Sequence, residues 1–183
     1  MEHIIEKAAG MIEALPYIQK FRNETVVVKF GGSIMEDEAA CRSILQDVAF
    51  MEVVGLRPVV VHGCGKAISR KMQETGLEPT FQHGHRDTDE ASVSVEEQVL
   101  NHELNPQMVA WVEWFGCRAH GVHGENIVTG ERRLGTDPAT GVAVDWGYVG
   151  EPSGIDVEPI EAFLNSKMVP VVTPLGRGED GKI

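Results

Sequence analysis

The chain has 183 residues, 42% of them hydrophobic, which is enough to enclose one core and sets the expectation of a single compact domain. A net charge of −12 excludes the basic face that nucleic acid demands, so any anionic ligand must be met by a few local cations. No apolar run approaches the roughly 18 residues of a membrane span, and an odd number of scattered cysteines (Cys41, Cys64, Cys117) argues against a disulfide framework and for a reducing cytoplasm.

The first segment, MEHIIEKAAGMIEAL, lacks the basic start and apolar block of a secretory signal. Ile4, Ile5, Ala8, Met11, Ile12 and Leu15 fall at helical spacing, which predicts an amphipathic helix over residues 1–16 that Pro16 ends. Val26 to Phe30 reads as a buried strand. Glu36, Asp37 and Glu38 then fall in a helix's first turn, and Cys41, Ile44, Leu45, Val48 and Met51 form that helix's apolar face, closed by Gly55. PVVVH at 58–62 is a second buried strand, followed by the loop GCG and a helix carrying Ile68 and Met72 as far as Gly76.

Strand, glycine loop, helix, twice over, predicts right-handed βα units in a parallel sheet covered on both faces. Asp87 and Glu90 have capping-box spacing before a helix with Ala91, Val95 and Val99. Asn105 to Trp114 is a separate helix whose start Pro106 confines. Residues 119–150 read as hairpins over one end of the sheet, Asp156 to Ser166 as a helix, and MVPVVTPL as a last strand. GEDGK is a turn signal with only one isoleucine after it, an odd end for a domain.

The chemistry begins at VVVKFGGSIM. Open α/β sheets bind ligands beyond the carboxyl ends of their strands. Glycines there let the backbone approach closely, and free amides near a helix N-terminus form an anion nest. Lys29, Gly31 and Gly32 therefore read as a phosphate site with a mobile positive charge, although a strand-end turn with a solvated lysine fits the same residues. His62, Gly63, Cys64 and Gly65 form a second such loop. Neither loop is a P-loop or a dinucleotide fingerprint: Ala67 follows Gly65-Lys66, and Ile68 stands where a third glycine belongs.

VVVKFGGSIM, PVVVHGCGKAIS, HGHRDTDE, GYVGEP and VPVVTPLGRGEDGK, in this order and spacing, resemble the acetylglutamate kinase family of the amino acid kinase superfamily, from about Leu15 onward. The resemblance implies a three-layer α/β/α sandwich with an open, mainly parallel sheet. It also implies transfer of the γ-phosphate of MgATP to the side-chain carboxylate of N-acetyl-L-glutamate, in arginine biosynthesis. Lys29 would be catalytic and, with Gly31 and Gly32, phosphate-binding. Gly63, Cys64 and Gly65 would bind the acceptor carboxylate, and Arg86 would fork its α-carboxylate, a geometry that lysine does not match. A carboxylate is already a nucleophile, so the difficulty is to align two anions, and oriented amides with positive charge address it.

The family is longer. Its adenine pocket and a second set of acceptor and phosphate groups would follow Ile183, so the resemblance implies an acetylglutamate-binding and dimerisation lobe over 17–183, without an ATP-binding lobe and with no more than trace turnover alone. It further implies a homodimer or, through the helix of residues 1–16, a hexamer with arginine as feedback inhibitor. A sibling kinase with another acceptor, or a non-catalytic ligand-binding or dimerising module, remains an alternative. The family's loop reads Gly-Gly-Gly where Cys64 stands, which costs strain only if φ there is positive. A nucleophilic Cys64 would have only His62 as a base. His83, His85, His120 and His123 lack zinc-site spacing, and Asp87, Asp89 and Glu90 read as capping residues, so no metal site is expected. Trp111, Trp114 and Phe115 read as helix packing or an oligomer contact.

Overall fold

The computed structural model describes residues 2–82, 85–136 and 141–183, with the main chain alone described at residues 2–8, 11, 82 and 85. Helix α1 (Glu2–Phe21) leads into strand β1 (Thr25–Phe30), helix α2 (Glu38–Val53), strand β2 (Arg57–His62) and helix α3 (Gly65–Glu74). A short pair, β3 (Phe81–Gln82) and β4 (His85–Arg86), precedes helices α4 (Glu90–Glu97) and α5 (Asn105–Trp114). Strand β5 (Arg118–Val122), the strands β6 (Val128–Thr136) and β7 (Ala143–Ile155), helix α6 (Glu158–Asn165) and strands β8 (Met168–Val172) and β9 (Arg177–Gly178) complete the chain.

The central sheet has the order β1-β2-β8-β5, and all its pairings are parallel. Strand residues alternate between its two faces. Val60, Val169 and Val171 join Leu45 and Val48 of α2 and Met108 and Val112 of α5 in one core. Val59 and Val172 pack with Leu164 of α6 in a second. The inner strands β2 and β8 are thus buried on both sides, which is why they read as valine runs, whereas β1, expected as a buried strand, lies at the sheet's edge with Val27 exposed. A third cluster joins Ile68 and Met72 of α3 to Val99, Leu100 and Leu175 at the rim.

Several sequence expectations shift. Helix α1 continues through Pro16 for another turn, to Phe21; a proline forfeits one hydrogen bond but does not forbid the turn that follows. The expected apolar face of α1 falls partly on Ile4, Ile5, Ala8 and Met11, whose side chains lie outside the described residues, while Ile12 and Leu15 are exposed. The helix over Ala91 to Val99 and the helix over Asn105 to Trp114 are one rod, joined by a π-helical turn, Gln98–Leu104. A proline ring collides with the carbonyl four residues before it, here His102, and that residue lies in the wider turn, where i→i+5 bonding relaxes the collision.

The capping residue is Asp89 rather than the Asp87–Glu90 pair: its Oδ1 accepts the Ser92 amide at 2.8 Å, which holds its carboxyl below the usual range. Thr88 instead bridges to Gly147. Glu36 ends a 3-10 turn, Gly32–Glu36, and Asp37 is the N-cap of α2. Residues 119–122, expected to begin the hairpins, belong to strand β5 of the central sheet. The hairpin itself is the long antiparallel β6–β7 pair, which β9 joins.

Candidate anion site at the rim of the sheet

Strands β1 and β2 run parallel with Phe30 opposite His62, so the two glycine loops leave the same rim. The Gly63 amide donates to the Phe30 carbonyl at 3.2 Å. Gly31 is extended, with φ 177°. A β-carbon on it would lie 2.6 Å from the Gly63 carbonyl oxygen, so only glycine lets the loops come this close. Gly32 has φ +63°, a left-handed conformation that turns the chain into the 3-10 segment.

Cys64 has φ −148° and carries no left-handed strain. It is the N-cap of α3, with Sγ accepting the Ala67 amide at 3.4 Å. Among the described residues, the amides of Gly31, Gly32, Cys64 and Gly65 donate no hydrogen bond. They sit at the start of a 3-10 turn and of a ten-residue helix, where unpaired N–H groups and the helix dipole favour an anion.

A cavity of about 620 Å³ opens between the loops, and Lys29, Gly31, Gly32, Gly63, Cys64 and Gly65 all line it. Lys29 is exposed and forms no ion pair among the described residues. Lys66, by contrast, is tied to Glu36 at 2.5 Å and clasps the two loops together. Pro174 and Leu175, just beyond β8, close the wall from a third strand end. Behind them, Thr173 accepts the Gly124 amide at 3.0 Å and donates to Asn101 Oδ1 at 2.8 Å, and Asn101 donates to the buried Glu125 at 2.8 Å. This chain of buried polar groups fixes the rim.

Arg86 does not line the cavity. It stands one layer behind, with Nη2 on the Gly65 carbonyl at 2.9 Å and on Ser69 Oγ at 2.8 Å. Its Nη1 reaches Met72 Sδ at 3.1 Å, its Nε pairs with Glu96 at 3.2 Å, and its plane lies 4.8 Å from the Phe81 ring. Gly84, in the same sequence segment, lies outside the described residues, as does His83.

Glu96 is the site residue that sequence reasoning missed. It lines the cavity from α4. Burial pushes its carboxyl up, and the Arg86 guanidinium only partly offsets this. Its signal was present: Glu96, Val99 and Leu100 share one helix stripe, and an acid on a buried stripe demands a partner.

His62 is buried at the end of β2, and burial lowers its pKa to about 4, so it is neutral. Asn105 Nδ2 donates to the Val171 carbonyl at 2.8 Å, which fixes the amide's orientation and makes His62 Nε2, at 3.2 Å, an acceptor. Its base nitrogen is therefore committed to Asn105 and not to Cys64. Among the described residues no three His, Cys, Asp or Glu gather as a metal site. His120 stacks on Phe163 at 4.3 Å, and His123 faces Glu125 and His102. No described helix is long and apolar enough to cross a membrane.

The model of the amino acid kinase family matches residues 24–183. An acetylglutamate kinase from Sphingopyxis alaskensis is 40% identical over 187 residues, covering 99% of this chain and 62% of the relative. The acetylglutamate kinase of Methanocaldococcus jannaschii is 39% identical, covering 100% of this chain and 62% of the relative. The chain therefore spans about three fifths of the length of these relatives. Among solved structures, N-acetylglutamate synthase from Neisseria gonorrhoeae, complexed with coenzyme A and N-acetylglutamate, superimposes with a TM-score of 0.75 at 23% identity. It covers 96% of this chain and 39% of that one, a likeness of fold.

Proposed function

The chain belongs to the amino acid kinase family, and from that membership we infer that it carries the acceptor side of an acetylglutamate kinase, which transfers a phosphoryl group from MgATP to the side-chain carboxylate of N-acetyl-L-glutamate. The observation that carries this reading is the junction of two amide-rich loops at one rim, with the Lys29 ammonium beside them. Lys29 meets the phosphates and the charge that spreads over them during transfer. Gly31 and Gly32 offer amides to the same group. Cys64 and Gly65 present theirs to the acceptor carboxylate, and Gly63 supplies the close backbone approach. Arg86 recognises the α-carboxylate.

In this proposal residues 17–183 are the acetylglutamate-binding and dimerisation lobe, in the cytoplasm, and residues 1–16 of α1 are an oligomerisation element through which arginine acts as feedback inhibitor. Calorimetry of the purified chain with N-acetyl-L-glutamate, ATP and arginine tests the reading, with Arg86→Ala as control. Saturable acetylglutamate binding that Arg86→Ala weakens at least about tenfold is expected. No binding at millimolar acetylglutamate would sink it.

A further inference from the structure

The charged side chains at the cavity wall are Lys29 and Glu96, while the guanidinium suited to a carboxylate sits behind Glu96. Arg86 is already engaged along its edge by Glu96, Gly65, Ser69 and Met72 and covered by Phe81 on its face. Its side chain is 10% exposed and that of Glu96 18%. A ligand carboxylate approaching Arg86 meets the Glu96 carboxylate first, and two like charges in a largely buried wall repel. Breaking the pair from one side alone is costly, since it leaves the other charge buried and uncompensated.

We propose that Glu96 is a specificity-determining residue of the acceptor pocket: it holds Arg86 turned towards Gly65 and Ser69, and an acceptor's α-carboxylate gains Arg86 only by taking the place of Glu96. This rests on the acetylglutamate reading for the identity of the acceptor, but the lock between Glu96 and Arg86 stands on geometry alone. Glu96 thereby acts as an internal competitor that weakens every acidic acceptor by the same exchange. It leaves untouched an acceptor whose α-carboxylate is an amide. A merely structural ion pair would affect both ligands alike.

The test uses the whole 183-residue chain and its Glu96→Gln variant, which keeps the shape and removes the charge. Modification by phenylglyoxal, mapped by mass spectrometry, reads the lock without any ligand; Arg86 should react several-fold faster in the variant. Calorimetry with N-acetyl-L-glutamate and with its α-amide reads the exchange. The variant should bind the acid at least about fivefold more tightly and the α-amide unchanged. Equal modification rates, or an equal gain or loss for both ligands, would overturn the proposal. Faster modification with no binding of either ligand would uphold the lock and sink the acetylglutamate reading instead. Should Glu96→Gln fail to fold, Glu96→Asp, which draws the carboxylate back from Arg86, must shift both readouts in the same direction, and no shift overturns the proposal.

Discussion

Gly31 and Gly63 touch across two loops: the space for a β-carbon on Gly31 is taken, at 2.6 Å, by the Gly63 carbonyl oxygen. The backbone of Gly31 is extended and would accept any residue, so the demand for glycine there is purely one of contact. Gly31→Ala should therefore push the loops apart, costing about 1–3 kcal/mol by denaturant titration, as overpacking does. It should also widen the cavity mouth and weaken anion binding. Gly32→Ala has open space around its β-carbon and pays only for its left-handed φ, about 1 kcal/mol. A Gly31→Ala protein as stable as the parent would contradict the contact.

Two lysines near the cavity should behave in opposite ways. Lys29 has no ion-pair partner among the described residues, so Lys29→Met should leave stability within about 0.5 kcal/mol. It should weaken the binding of inorganic phosphate to the loops roughly tenfold or more, the worth of one charged hydrogen bond. Lys66 is bound to Glu36, but both side chains are half exposed, so Lys66→Ala should cost below about 1 kcal/mol and leave phosphate binding nearly unchanged. Parallel urea melts and calorimetry with phosphate separate the two, and equal losses of phosphate affinity would refute the assignment.

The rim was legible because its signals are local. Valine runs ending in glycines mark buried parallel strands and their loops, and six of the residues singled out from VVVKFGG and HGCG meet in one cavity. Strand β5 was missed because RAHGV has no apolar run: His120 hides its ring against Phe163, and Gly121 gives way to the Asn105 side chain. The long helical rod was divided because proline and a wide turn look like a boundary when only local propensity is weighed. Arg86 is legible as the cation, but its engagement depends on α4 bringing Glu96 against it, a tertiary fact that no spacing encodes.

Cys64 caps α3 with a sulfur, a weak acceptor at 3.4 Å. Cys64→Ser places a better capping atom at the same backbone angles and should stabilise the chain by about 0.5–1 kcal/mol. All three thiols are buried, and burial raises the pKa of Cys41 and pushes that of Cys117 up to about 11; Cys64 alone borders the cavity, through which a small reagent can approach. Iodoacetamide at pH 8 should accordingly reach Cys64 first, and peptide mapping that finds Cys117 modified earlier would count against this arrangement.

Some of the exposed apolar groups lie on helices. Ile12, Leu15, Tyr17 and Phe21 lie on α1, and Phe50, Val53 and Trp114 on the neighbouring helices α2 and α5. If α1 joins copies of the chain, deleting residues 1–16 should lower the mass measured by light scattering while a Trp114-dependent dimer survives. Trp114→Glu should then reduce that dimer to a monomer. Unchanged mass in both variants would remove oligomerisation from the proposal.

His62 should give the fold its sharpest acid sensitivity. Its pKa falls from an ordinary 6.5 when unfolded to about 4 in the buried site beside Asn105. Between these values the unfolded chain binds the extra proton, so stability rises with pH there. The contribution is complete above about pH 6.5 and is lost as the pH drops towards 4. The full difference is on the order of 3 kcal/mol. Urea melts at intervals from pH 7.5 to 4 should show this decline, and His62→Gln, which cannot titrate, should be less stable at pH 7.5 but flatter over the same range. A variant whose decline parallels that of the parent would place the sensitivity elsewhere, because the Asn105 contact alone carries no proton.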